Sequence, residues 1–174
     1  MESNRNKKAE IGRQAAITGF ANEKIACGLL MRKYGNVSMV DLPLSSYDIT
    51  MVNTLEDGTE DVIRIQSKTA TKAVPFTGGG RGGVDRITIP GVKTYVQSPK
   101  RSDCVVGVHF EGTEPVLYFV PTLLIVELKS RKGQQAKSIC LNKINKLKNN
   151  HEMLVNCKRR DYVITKAKEY GILK

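Results

Sequence analysis

The chain has 174 residues, 40% of them apolar, a size and composition that suit a single domain, 1–174, with an ordinary core. No run of about 18 apolar residues could span a membrane, and the opening "MESNRNKKAE" lacks the apolar segment of a signal peptide, so a cytoplasmic protein without membrane partners is expected. The net charge is +11, from 28 basic and 17 acidic residues, and 13 of the former but only 3 of the latter fall in a basic C-terminal region, 128–174.

Such asymmetry points to a polyanion, chiefly nucleic acid, with a merely solvated basic surface as the bland alternative. Cys27, Cys104, Cys140 and Cys157 are dispersed without a CxxC pair, which argues against a zinc site or a disulfide framework and for reduced, mostly buried thiols. With only His109 and His151 present, mechanisms that need several imidazoles are disfavoured.

In chain order, 1–9 is polar and expected to fray. A helix is predicted over 10–34, where Ala16, Phe20, Cys27, Leu30 and Tyr34 recur at steps of three and four, closed by Gly35-Asn36. A short strand is predicted at 37–41, a turn around Pro43 and Ser45-Ser46, then a hairpin with strands at 47–53 and 61–68 and its turn at Glu56-Asp57-Gly58. From Thr69 to Gly91 periodicity fails, and "PFTGGGRGGVDR" reads as a loop over 74–86, either a connector or a cationic segment that orders on DNA. It is no P-loop, because no GK[ST] follows. Residues 91–98 read as a short helix or an extended segment. Buried strands are predicted at 104–110 and 116–120, and a short helix from Pro121 to Leu128. Residues 136–157 fit a strand running into a basic loop, or a basic helix, and 161–171 a closing helix with Asp161 near its start. No repeat or interdomain linker is evident.

The chemistry lies in "YDITMVNTLEDGTEDVIRIQSKTA". Residues two apart share a strand face, so Gln66 and Lys68 point one way with Arg64 and Val62, while Ile63 and Ile65 point to the core. Asp48 on the paired strand can approach Gln66 and Lys68. Glu23, inside the apolar stripe of the first helix, needs a partner or a metal if buried; a salt bridge to a lysine is the structural alternative. Together these residues suit phosphodiester hydrolysis with a divalent cation. Magnesium prefers oxygen ligands and keeps several waters. Asp48 would be its main carboxylate, with the Gln66 side-chain oxygen and a backbone carbonyl, at Ser67, completing the set. Glu23 would hold a second ion or a water, and Lys68 would orient or deprotonate the attacking water. Asp41, before a turn, is a rival to Asp48.

The series Glu23, "SYDIT" and "RIQSKT" resembles the PD-(D/E)XK nucleases, the restriction-endonuclease-like superfamily. It resembles most the small intron-associated homing endonucleases with a glutamine two before the lysine. The usual acid is replaced here by Gln66, and Tyr47 stands where the motif name has proline. The resemblance covers roughly 12–127, with "SDCVVGVHF…VLYFVP" as later strands. It implies an α/β fold with an αβββαβ core, a mixed central sheet flanked by helices. It also implies a Mg2+-dependent endonuclease cutting double-stranded DNA at specific sites, homing or type II restriction in kind, with Mn2+ as a substitute ion. A Holliday-junction resolvase and a non-catalytic basic DNA-binding protein are the alternatives.

Cutting both strands calls for two sites, hence a homodimer or a dimer of dimers. Base readers are expected among Arg81, Arg86, Gln97, Lys100 and Arg101, and phosphate contacts among Lys143, Lys146, Lys148, Lys158, Arg159 and Arg160.

Overall fold

The computed structural model describes residues 2–42, 45–55, 57–78, 95–130 and 132–174. Helix α1 (Glu2–Tyr34) leads into β1 (Val37–Met39), β2 (Ile49–Thr54) and β3 (Glu60–Thr69). Short strands β4 (Ala73–Pro75), β5 (Thr77–Gly78) and β6 (Tyr95–Val96) follow, then β7 (Cys104–Glu111), β8 (Glu114–Pro121) and α2 (Thr122–Ile125). The chain ends with β9 (Ser138–Cys140), a 3₁₀ segment (Leu141–Leu147), α3 (His151–Val155) and α4 (Arg160–Glu169).

The central sheet has the order β1-β2-β3-β7-β8. It is mixed, because β3 and β7 pair in parallel while every other neighbour is antiparallel. This is the expected class, a mixed α/β sheet flanked by helices. Two small antiparallel pairs, β4 with β9 and β5 with β6, lie beside it.

Alternation along the strands divides the core between two faces. On one, Ile49, Met51, Ile63, Ile65, Val106 and Val108 pack against Ala26, Cys27 and Leu30 of α1. On the other, Val105, Tyr118 and Val120 pack with Val74, Phe76, Ile125, Ile144, Met153 and Val163. Gly107 lies in β7 opposite Lys68. A side chain there would put its Cβ 2.5 Å from Val74 Cγ2, so glycine is what lets β4 close over the sheet.

Several expectations change in detail. α1 begins at Glu2 rather than at 10; residues 2–9 contain neither glycine nor proline, so nothing in them stops a helix. Its buried face is Asn22, Ala26, Cys27 and Leu30, whereas Phe20 is 61% exposed and Ala16 is exposed, because only the later half of the helix meets the sheet. The segment after 136 is a strand followed by 3₁₀ turns, and Tyr95–Val96 is extended. All four cysteines are free, and three of them are buried. The hairpin turn closes through Gly58 at φ 81°, a conformation that favours glycine; Glu56 lies outside the described residues.

Candidate active site

The site forms at the end of β2 and β3. The Asp48 N–H donates to the Ile65 carbonyl at 2.9 Å, one step beyond the Ile49–Ile65 pair, which sets Asp48 beside Gln66. One carboxylate oxygen, Oδ2, is held by the Ser67 N–H at 2.8 Å and by the Gln66 amide nitrogen. That same nitrogen reaches the Ser67 carbonyl at 3.2 Å. Among the described residues no group donates to Asp48 Oδ1.

Helix α1 is pinned at this end of the sheet by Asn22, whose Nδ2 donates to Thr69 Oγ1 at 2.8 Å. Glu23, the next residue of α1, lies close enough to the end of the sheet for the charges of Asp48 and Lys68 to act on it. Glu23 makes no ion pair among the described residues. Asp48, Gln66 and Ser67 are thus joined by hydrogen bonds, with Glu23 and Lys68 within reach of the Asp48 charge. Asp41 is exposed, outside this hydrogen-bond network.

The three charged groups shape one another. Burial pushes the Glu23 carboxyl up, and the nearby Asp48 charge adds to the rise, against Lys68 and Lys24. Burial also raises Asp48, opposed by the Ser67 N–H, the Lys68 charge and the Gln66 amide. Lys68 is lowered by burial, against the pull of Asp48 and Glu23, so its proton is held less firmly than in water. Burial thus makes both carboxylates costlier to ionise than in water. Asp48 Oδ1, without a donor among the described residues, and the Glu23 carboxylate are oxygen donors of the kind that could hold a hard divalent cation. Among the described residues no three His, Cys, Asp or Glu side chains gather anywhere. The candidate site has two acids, Glu23 and Asp48, beside the neutral Gln66.

Beside this group runs a buried polar network that no sequence motif marks. Gln97 is 1% exposed. Its Nε2 donates to the Ser46 carbonyl and to Gln66 Oε1, each at 3.0 Å, and its Oε1 accepts from Ser102 Oγ at 3.0 Å. Gln97 was expected as a base reader; here its amide is spent inside the protein, next to the catalytic candidates. Arg64 pairs with Asp103, Nη2 to Oδ1 at 2.8 Å and Nε to Oδ2 at 3.1 Å, and not with Asp48.

The other DNA-contact candidates scatter. Arg81 and Arg86 lie outside the described residues. Lys100 and Arg101 are exposed in the turn after Gln97, and the Arg101 guanidinium sits 3.7 Å from the centroid of the Tyr95 ring. Lys143 and Lys146 are exposed on the 3₁₀ segment, without an acidic partner among the described residues. Lys148 pairs with Glu111, Lys158 with Asp61 and Arg160 with Glu127, while Arg159 donates to Asn156. No helix among the described residues is long and apolar enough to cross a membrane.

No family model matches the chain, and no curated protein matches it. Among solved structures it is similar to a bacterial homing endonuclease, I-Ssp6803I, at 17% identity and a TM-score of 0.45, over 90% of this chain and 97% of that one. At this distance the likeness is one of outline, and the chemistry of this chain rests on its own side chains.

Proposed function

We propose that this chain is a divalent-cation-dependent endonuclease that cuts double-stranded DNA at specific sites, of the homing or type II restriction kind and of the PD-(D/E)XK group. The reading is supported by the Asp48 carboxylate just before β2, held on one oxygen by Gln66 and Ser67 with the Glu23 and Lys68 charges in reach, and by Asp48 Oδ1 having no donor among the described residues. Asp48 would hold Mg2+ or Mn2+ through that oxygen, with Glu23 and the Ser67 carbonyl as further donors, and the Gln66 oxygen would join them only on turning from Gln97. Such an ion, when bound, supplies positive charge to a phosphodiester as negative charge builds on it. Lys68 has two parts to play at Nζ: a hydrogen bond to a phosphate oxygen, and a proton site for the attacking water that burial keeps accessible. With one negative charge fewer than an all-acid motif, the site gains affinity for the ion once DNA phosphates contribute theirs.

Double-strand cutting requires two such sites, and a homodimer or a dimer of dimers would provide them. The exposed Ile17, Phe20 and Met31 on α1 are consistent with a further contact. Light scattering with and without DNA tests this; a monomer under both conditions removes the idea.

The activity test is incubation with a sequence-diverse duplex pool in Mg2+ or in EDTA, followed by sequencing of new ends. Ends at a recurring site in Mg2+ alone are expected. Cutting confined to added four-way junctions would favour a junction resolvase, and binding without any cutting would favour a DNA-binding protein.

A further inference from the structure

The Gln66 amide nitrogen lies between Asp48 Oδ2 and the Ser67 carbonyl, two oxygens that a cation at this site would use. Its two hydrogens satisfy both, so the nitrogen stands in for positive charge. The Gln66 oxygen, the atom a cation would want, is turned away to Gln97 at 3.0 Å.

This orientation is imposed from behind. A backbone carbonyl can only accept, so the group that Gln97 presents to Ser46 is its nitrogen. The second hydrogen of that nitrogen then requires an acceptor from Gln66, which fixes the Gln66 oxygen toward Gln97 and its nitrogen toward Asp48. Ser102 does not set the direction, because a hydroxyl can donate or accept. If Gln66 alone turned over, two amide nitrogens would face each other; if Gln97 turned with it, the Gln97 oxygen would face the Ser46 carbonyl. Both arrangements leave like ends opposed in a buried site, where Gln66 is 6% and Gln97 1% exposed.

We propose that Gln97 is a positioning residue that sets the divalent-cation affinity of the site, by locking the Gln66 amide with its nitrogen rather than its oxygen toward Asp48. The inference rests on reading Asp48 and Gln66 as part of a cation site. Releasing the lock lets Gln66 offer its oxygen. Gln97→Glu gives the Gln66 nitrogen an acceptor in the turned orientation but also adds charge. Gln97→Leu adds no charge and reports the lock alone.

The experiment titrates Mn2+ alone into full-length wild type, Gln97→Leu and Gln97→Glu, reading bound ion by electron paramagnetic resonance and melting temperature in parallel with an EDTA control. Both variants are expected to melt lower in EDTA and yet to half-saturate at about tenfold lower Mn2+, the size of effect that outer partners have on metal sites. A role in stability alone predicts lower melting with unchanged or weaker Mn2+ binding, and that result in Gln97→Leu overturns the proposal. Should Gln97→Glu not fold, Gln97→Leu decides by itself. Absence of Mn2+ binding in all three proteins overturns the cation site itself, and is thereby distinguished from a failure of the lock, in which all three bind equally.

Discussion

Asp48 carries its charge at a half-buried position, and the fold resists that charge. Burial raises its carboxyl above the usual 3.8 despite the Ser67 and Gln66 hydrogen bonds. The folded state therefore binds this proton more tightly than the unfolded chain, and stability declines as pH rises from 3.8 through the folded value. Asp48→Asn keeps an acceptor for the Ser67 N–H without the charge. It should melt at or above wild type at pH 7, with the difference closing as the pH is lowered toward 3.8, and should lose DNA cleavage while still binding DNA. Melting curves across that range, set beside a cleavage assay, check both halves. Lys68→Ala should lose about 10²–10⁴-fold in cleavage rate, the usual weight of a proton-transfer group. Lys68→Arg should not restore it, because a guanidinium does not give up its proton at working pH. Single-turnover rates separate this from a change in binding. Type and spacing, an acid then Gln-x-Lys on a strand, make the pairing of Asp48 with Gln66 legible in sequence. The lock formed by Gln97 is not, because a buried amide and a DNA-reading amide look alike in sequence.

At the scale of elements, the hairpin and the buried strand pair fall within two residues of where alternation puts them, since each is rich in β-branched residues and closed by turn residues. Phe20 lies on the apolar stripe of α1 yet is exposed, because a stripe does not say how far along a helix its neighbour extends. Two element-scale predictions follow from packing. Gly107→Ala should destabilise by about 1–3 kcal/mol through overpacking, because the new Cβ meets Val74 Cγ2 at 2.5 Å. Adding Val74→Ala should recover part of that in urea unfolding. His151, at the start of α3, lies between Phe119 at 5.1 Å and Tyr34 at 5.8 Å, centroid to centroid, with the Tyr34 hydroxyl 3.1 Å from Nδ1. Burial, then the charge of Lys33, depresses its pKa below 6.5. The folded state thus holds this proton less firmly, so the stability it contributes is complete above 6.5 and is lost as pH falls through the folded value. Urea midpoints at falling pH should drop more steeply in wild type than in His151→Phe.

For the molecule as a whole, the basic C-terminal region is not a uniform phosphate-binding strip. Lys148, Lys158 and Arg160 are engaged by Glu111, Asp61 and Glu127, which tie the C-terminal segments to β3, β7 and the region after α2. Composition alone showed the excess of charge but could not show which charges the fold uses for itself. Lys143 and Lys146 are the better phosphate candidates. Replacing each by Gln should weaken DNA binding regardless of sequence and reduce the slope of log affinity against log salt by about 1 per lysine. The claim on which the proposed activity depends is that Glu23, Asp48 and Lys68 enclose one divalent ion. Diffraction at the manganese edge from crystals of the protein at saturating Mn2+ addresses it directly. An anomalous peak within a coordination distance of about 2–2.6 Å from Asp48 Oδ1, lost in crystals of Asp48→Asn, is the predicted result. A peak elsewhere on the protein with none at Asp48, or no bound manganese at all, would contradict it.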